Sequence, residues 1–378
     1  MKSYNTKNNM KLKKISVKNL YSKWNVKGFV LDDYLSLLVG ASGVGKTQIL
    51  RAIKEISNIA KGKTVDGLEW DVTFEFNGMV YQWKGKFDVD FGETINYSSR
   101  ESQEHTIVSE SLLRNSDIII HRVGDQIKFN NTFTVKLDST KSVIALLKEE
   151  DDIRPIYEAF CQVFELDNEN NGIRISPFLS RKRDEIKELR EIHNNSVLTP
   201  IEKLFLLRKE GLPQFETIKD LFINVFPIIE DIDFSMEQLF DDTLYPVLRI
   251  KERGVDNWIM QHNVSSGMYR TLSQITFLVL AEDGDIILID EFENGLGVNC
   301  INQLAEQILD ADKDIQFIIT SHHPYIINSI PFKKWKIIIR ECSDVKVMTT
   351  DQLKIGEHSR HEAFMQLIQT DAYRKGRP

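Results

Sequence analysis

The sequence predicts an α/β fold: a strand-and-helix core carrying an antiparallel β-layer and an inserted helical lobe. Three observations lead to that expectation. The apolar run Leu35–Val39 passes through a glycine-rich turn into residues 48–60, where Ile49, Leu50, Ile53, Ile56 and Ile59 recur at helical spacing. A second apolar run, Ile286–Ile289, reads as a fully buried strand and ends in the acidic pair Asp290-Glu291. After residue 244 strand-like and helix-like segments alternate, as they do in an α/β core.

With 378 residues, 42% of them apolar, the chain can bury one large core with an insertion, or two cores. Its net charge of −8 argues against a surface that binds nucleic acid all over and leaves local basic patches open. Cys161, Cys300 and Cys342 stand far apart with no C-x-x-C pair, so reduced thiols packed as small core residues are expected, not a zinc site or a disulfide framework. No apolar run approaches the ~18 residues of a membrane span, and the first residues are polar and basic without a hydrophobic signal core. A cytoplasmic protein with no membrane partner is expected.

The expected organisation is a disordered tail over 1–14, the N-terminal part of the core with its β-layer over 15–140, a helical lobe over 141–240, and the C-terminal part of the core over 241–378. Strands are expected near 15–20 and 28–31; Tyr21 and Trp24 lie between them, where core or hairpin packing is preferred over stacking on an adenine. The period then changes from 3.6 to 2. Residues 71–76 alternate, Asn77-Gly78 is a hairpin turn, and 79–87 returns. A second meander over 118–137 turns at Gly124-Asp125 and Asn130-Asn131. The lobe is read as mostly helical: 142–148, 153–164, 181–193 and 215–226, with one strand at 173–178. Thr199, Pro200 and Glu202 form a helix start with a capping box, and Gly211 marks the stop.

The turn between the first core strand and helix reads Gly40, Ala41, Ser42, Gly43, Val44, Gly45, Lys46, Thr47, which fits the P-loop spacing G-x-x-x-x-G-K-[ST] at every fixed position. Glycines permit a loop whose successive N–H groups point inward as an anion nest, and the new helix adds its positive dipole end. Lys46 can reach β- and γ-phosphate oxygens, and the Thr47 hydroxyl can occupy one position on Mg²⁺. ATP and Mg²⁺ are therefore the expected ligands. The opposite wall of such a site needs carboxylates after a buried strand: Asp290 can hold Mg²⁺, and Glu291 can polarise the water that attacks the γ-phosphate.

The second half then carries a family resemblance. The series Val264-Ser265-Ser266-Gly267-Met268, the strand ending in Asp290-Glu291, Glu293-Asn294-Gly295-Leu296 and Thr320-Ser321-His322 resembles the signature, Walker B, D-loop and switch-histidine series of ABC-type ATPases. More narrowly it is similar to the branch containing OLD-family, RecF and SMC-like proteins, and in layout to ATPase subunits of bacterial anti-phage systems of the Septu and PARIS types. The resemblance covers residues 12–140 and 245–340. It implies a composite site in which Ser265, Ser266 and Gly267 of one protomer close over the γ-phosphate held by the P-loop of another. It also implies a head-to-tail homo-oligomer with residues 294–296 at the seam and a sensing or stabilising role for His322 in preference to His323; the Q-loop glutamine is not placed, since the spacing of Gln126 is not diagnostic. Ser266 and Met268 depart from the transporter-type signature.

Two functions follow from this resemblance. The preferred one is an ATPase whose ATP-dependent dimerisation or assembly controls a separate effector, expected to be a nuclease, in antiviral defence; no nuclease constellation is visible after His322. The alternative is a RecF-like repair ATPase that binds DNA directly through Arg181, Lys182 and Arg183 with Lys187 and Arg190, or through Lys333 and Lys334 with Lys336.

Overall fold

The computed structural model describes residues 9–89, 105–166, 186–195, 197–238, 244–294, 296–309, 313–356 and 359–377. They fall into two compact units, the first made of Met1–Glu165, Asp283–Phe292 and Lys313–Pro378, the second of Leu166–Glu282 and Glu293–Asp312.

In chain order the strands are β1 (Met10–Asn19), β2 (Asn25–Val30), β3 (Leu35–Val39), β4 (Leu68–Phe76), β5 (Met79–Phe87), β6 (Ile107–Arg114), β7 (Asp117–Val123), β8 (Gln126–Phe129), β9 (Thr132–Phe133) and β10 (Val163–Leu166). Three strands of the second unit follow, β11 (Ile229–Gln238), β12 (Leu244–Glu252) and β13 (Trp258–Met260), and then β14 (Ile286–Ile289), β15 (Gln316–Thr320), β16 (Trp335–Glu341) and β17 (Asp344–Thr349).

Among the described residues the first unit is built on one sheet ordered β10-β14-β15-β3-β16-β17-β2-β1-β4-β5-β6-β7-β8-β9. Strands β14, β15, β3 and β16 run parallel. Every residue of β3, β14 and β15 is buried, which is why these strands are mostly apolar with no alternation between faces. From β2 to β9 the pairing is antiparallel, and β4 alternates between buried and partly exposed positions because only one face meets the core. On the buried face Trp70 meets Trp83 at 5.2 Å, and Phe160 meets Phe74 at 5.4 Å and Trp83 at 5.3 Å between ring centroids. The turn residues Asn77 and Gly78 sit at φ +50° and +73°, the left-handed pair that a two-residue hairpin requires.

The helix Lys46–Ala60 follows β3 directly. Helices Val143–Leu146 and Arg154–Cys161 pack against it, with the Ser142 hydroxyl donating to Ile59 O at 2.8 Å and the Ser57 hydroxyl donating to Phe160 O at 2.9 Å. Residues 141–165 thus belong to the first unit and not to the inserted lobe.

Three readings of the sequence require correction. The first strand starts at Met10, within the stretch 1–14 read as a disordered tail, and not near residue 15: Lys11 and Lys13 disguise β1 as a polar tail, but Lys11 is paired with Asp314 at 2.7 Å and Lys13 with Asp33 at 2.6 Å and Glu75 at 3.0 Å. The helix expected over 153–164 stops at Cys161, and Val163–Leu166 is a strand beside β14, an apolar run too short for periodicity to classify. Residues 229–238, read as part of a helical lobe, form β11; a bulge between Ile229 and Asp231 shifts the alternation and hides it. The strand expected at 173–178 and residues 181–185 of the helix expected over 181–193 lie outside the described residues; of the remainder, the helix spans Leu189–Asn194 and residues 186–188 are not helical.

In the second unit β11, β12 and β13 form an antiparallel sheet. Helices Pro200–Lys209 and Gln214–Val225 pack against Ser266–Leu280, which also meets Val298–Leu309. The capping box at Thr199 forms, with Glu202 N donating to the Thr199 hydroxyl at 3.2 Å and Thr199 N donating to Glu202 Oε2 at 2.7 Å.

Candidate nucleotide site

The loop over residues 40–47 joins β3 to the helix Lys46–Ala60 and closes into a cradle. Gly40, Gly43 and Gly45 have φ of +149°, +80° and +105°. Gly40 cannot be replaced without movement, because a Cβ there would stand 2.5 Å from Ile338 O of β16. Gly43 by contrast faces open space within 4 Å. The Lys46 ammonium folds back across the loop and donates to Gly40 O at 2.8 Å and Ala41 O at 3.0 Å. A glycine-lined loop at a helix N-terminus with a lysine across its mouth fits a polyphosphate.

The acidic wall comes from two further segments of the same unit. The Thr47 hydroxyl donates to Asp290 Oδ1 at 3.2 Å, and the Thr320 hydroxyl donates to the same oxygen at 2.6 Å. Glu291 N donates to Thr320 Oγ1 at 2.7 Å, and Phe292 N to Thr320 O at 3.1 Å. Those bonds hold Glu291 at φ +47°, a conformation that costs a non-glycine residue about 1–3 kcal/mol. Its side chain is exposed. The oxygen donors Thr47 and Asp290 suit a hard cation that keeps waters and phosphate ligands.

The adjacent histidines differ in environment. His323 caps the helix Pro324–Ser329, its Nδ1 accepting from Tyr325 N at 3.3 Å, while His322 is exposed just past the end of β15. Gln126 is exposed at the start of β8 in the antiparallel layer.

Ser265, Ser266 and Gly267 belong to the second unit. Ser265 is the N-cap of the helix Ser266–Leu280, its hydroxyl accepting from Met268 N at 3.2 Å, and Ser266 is exposed. One turn on, Arg270 Nη1 donates to Asn294 Oδ1 at 3.0 Å, which ties this helix to the segment carrying Asn294. Gly295 lies outside the described residues.

Residues 35–328 match the family described as "AAA domain, putative AbiEii toxin, Type IV TA system". The chain belongs to this family. It carries an AAA-type P-loop domain, and the cradle and acidic wall described above fall within the matched residues. Several solved structures are similar to the chain. An Smc head domain with an extended coiled coil bound to the C-terminal domain of ScpA, from Pyrococcus furiosus, is 13% identical, with 90% of this chain and 96% of that chain covered and a TM-score of 0.49. An SmcHead bound to the C-winged helix domain of ScpA is 13% identical, with 89% and 97% covered and a TM-score of 0.44. The SMC head domain from Thermotoga maritima is 12% identical, with 90% and 98% covered and a TM-score of 0.41. No curated protein matches the chain.

Sequence reasoning assigned Thr320 to the switch segment without a role of its own. The structure makes it the link between Asp290 and Glu291. A threonine at the end of a buried strand, level with the acidic pair on the neighbouring strand, is the signal that could have found it. The basic cluster near residue 333 changes character: Lys336 is buried and paired with Asp32 at 3.2 Å. Arg181, Lys182 and Arg183 lie outside the described residues. No helix among the described residues is long and apolar enough to cross a membrane.

Proposed function

We propose that this chain binds ATP with Mg²⁺ in the cradle of residues 40–47 and hydrolyses it. The observation that carries the reading is the chain of hydrogen bonds from Thr47 through Asp290 and Thr320 to Glu291, assembled from three separated segments of sequence. The loop N–H groups and Lys46 hold the phosphates. Thr47 and Asp290 would hold Mg²⁺, which when bound would supply positive charge against the phosphates. Glu291 accepts the proton of the attacking water, and Thr320 keeps that carboxylate and Asp290 in register. His322 is assigned to sense or stabilise the γ-phosphate.

The biological reading is that ATP draws copies of the chain together, Ser265, Ser266 and Gly267 of one completing the phosphate cradle of the next, and that this assembly controls a separate effector, a nuclease, in anti-phage defence. The family's description as a toxin of a toxin–antitoxin system supports a two-component arrangement. The RecF-like alternative gains nothing from Lys336, whose charge is spent on Asp32.

The test is phosphate release by the purified chain with ATP and Mg²⁺. Release is expected from the wild type and not from Glu291→Gln, which should still retain ATP. A wild-type chain that neither retains ATP nor releases phosphate contradicts the catalytic reading. DNA cleavage by the chain alone, lost in Glu291→Gln, contradicts the separate effector.

A further inference from the structure

The outer side of the P-loop is clasped by a segment far away in sequence, within the same unit. The short helix Asp371–Lys375 is capped by Thr370, whose hydroxyl accepts from Tyr373 N at 3.2 Å, and it is seated by Ala372, which is buried. It ends in Gly376 at φ +65°. Gly376 O accepts from Arg340 N of β16 at 2.8 Å, and a Cβ added to Gly376 would stand 2.4 Å from Val44 Cγ1. Only glycine lets the segment lie this close to the loop. Val44 itself is buried under it.

Arg340 joins the two sides. Its main chain binds Gly376, its Nε donates to Cys342 O at 2.8 Å, and its Nη1 reaches Gly43 O at 3.4 Å. At Gly45 the loop packs against further segments, where a Cβ would meet Val345 at 3.0 Å and Trp24 at 3.4 Å. Val44 and Gly45 are therefore both held by packing against distant segments, and these are residues whose N–H groups must face inward to bind phosphate.

We infer that Arg340 and Gly376 are positioning residues for the nucleotide: the segment from Thr370 to Gly376 is a strap that sets the P-loop in its phosphate-receiving shape. The inference rests on the nucleotide reading given above. A loop already fixed in its binding shape loses less freedom when ligand arrives, so the strap raises affinity without taking part in chemistry. By linkage the effect is reciprocal: nucleotide in the cradle must tighten the strap.

Two measurements on the full chain decide it. In Gly376→Val the added side chain forces the strap off Val44, and the Kd for a non-hydrolysable ATP analogue is expected to rise about fivefold or more, with turnover at saturating ATP unchanged. In the wild type, amide exchange over residues 371–377 is expected to slow when the analogue binds; this needs no substitution and stands even if Gly376→Val fails to fold. A wild-type Kd in folded Gly376→Val, or exchange over 371–377 that is indifferent to bound analogue, overturns the strap. Absence of any nucleotide binding by the wild type is a separate result and refutes the nucleotide reading itself.

Discussion

The Thr320 hydroxyl donates to Asp290 Oδ1 at 2.6 Å while its oxygen accepts from Glu291 N at 2.7 Å, so one side chain on β15 sets both carboxylates at the end of β14. Neighbouring parallel strands place these groups side by side, and the bond to the main chain stabilises Glu291 in its left-handed conformation.

Thr320→Val keeps the shape of the side chain and removes both bonds. The turnover number is expected to fall by about 10–100-fold, the size of effect seen when groups that orient a metal ligand are lost. The Kd for ADP, which depends mainly on the cradle, is expected to change little. Thr320→Ser should restore most of the rate. Steady-state phosphate release and equilibrium nucleotide binding on the three chains check this; equal turnover in Thr320→Val would remove the positioning role.

Gly40→Ala should damage stability and binding together. The position combines φ of +149° with a Cβ site 2.5 Å from Ile338 O, and main chain cannot move aside as a flexible side chain would. A loss of about 1–3 kcal/mol is expected in urea unfolding, with weaker nucleotide binding. Gly43→Ala, where the added Cβ meets only open space within 4 Å, should cost less stability.

Stability should also depend on pH through Glu110. Burial raises its pKa from 4.5 to about 7, against the opposing effects of hydrogen bonds from Val143 N and Trp83 Nε1 and of Arg122 nearby. The folded chain keeps a proton that the unfolded chain releases near pH 4.5. This contribution is therefore full below that pH, falls as pH rises towards 7, and is flat beyond. Wild-type chain should lose on the order of 1–3 kcal/mol across that window relative to Glu110→Gln. Urea midpoints of both chains at pH 5 and pH 8 measure the difference; parallel pH profiles would show that Glu110 does not titrate in this way.

Much of the cradle was legible because its chemistry demands particular residues at fixed spacing: glycines where φ is positive, Lys46 and Thr47 at the helix start, and acids after an unbroken apolar strand. Hairpins at Asn77-Gly78 and Asn130-Asn131 were legible for the same local reason, since both pairs adopt positive φ. What escaped was set by distant partners. Lys11 reads as solvent-seeking until Asp314 stands beside it, β11 reads as helical until its bulge is seen, and Thr320 gains meaning only when β15 lies next to β14. The clasp of Gly376 on Val44 joins positions more than three hundred residues apart and has no signature in either segment alone.

In the proposed assembly, ATP held by residues 40–47 of one copy is closed over by Ser265, Ser266 and Gly267 of another. Its most direct test is the solution mass of Glu291→Gln with ATP and Mg²⁺, by light scattering, beside the same chain carrying Ser266→Arg. A larger assembly that forms only with ATP, and that Ser266→Arg abolishes while nucleotide is still bound, is the predicted result. One unchanged mass with and without ATP in the nucleotide-bound Glu291→Gln chain would contradict it.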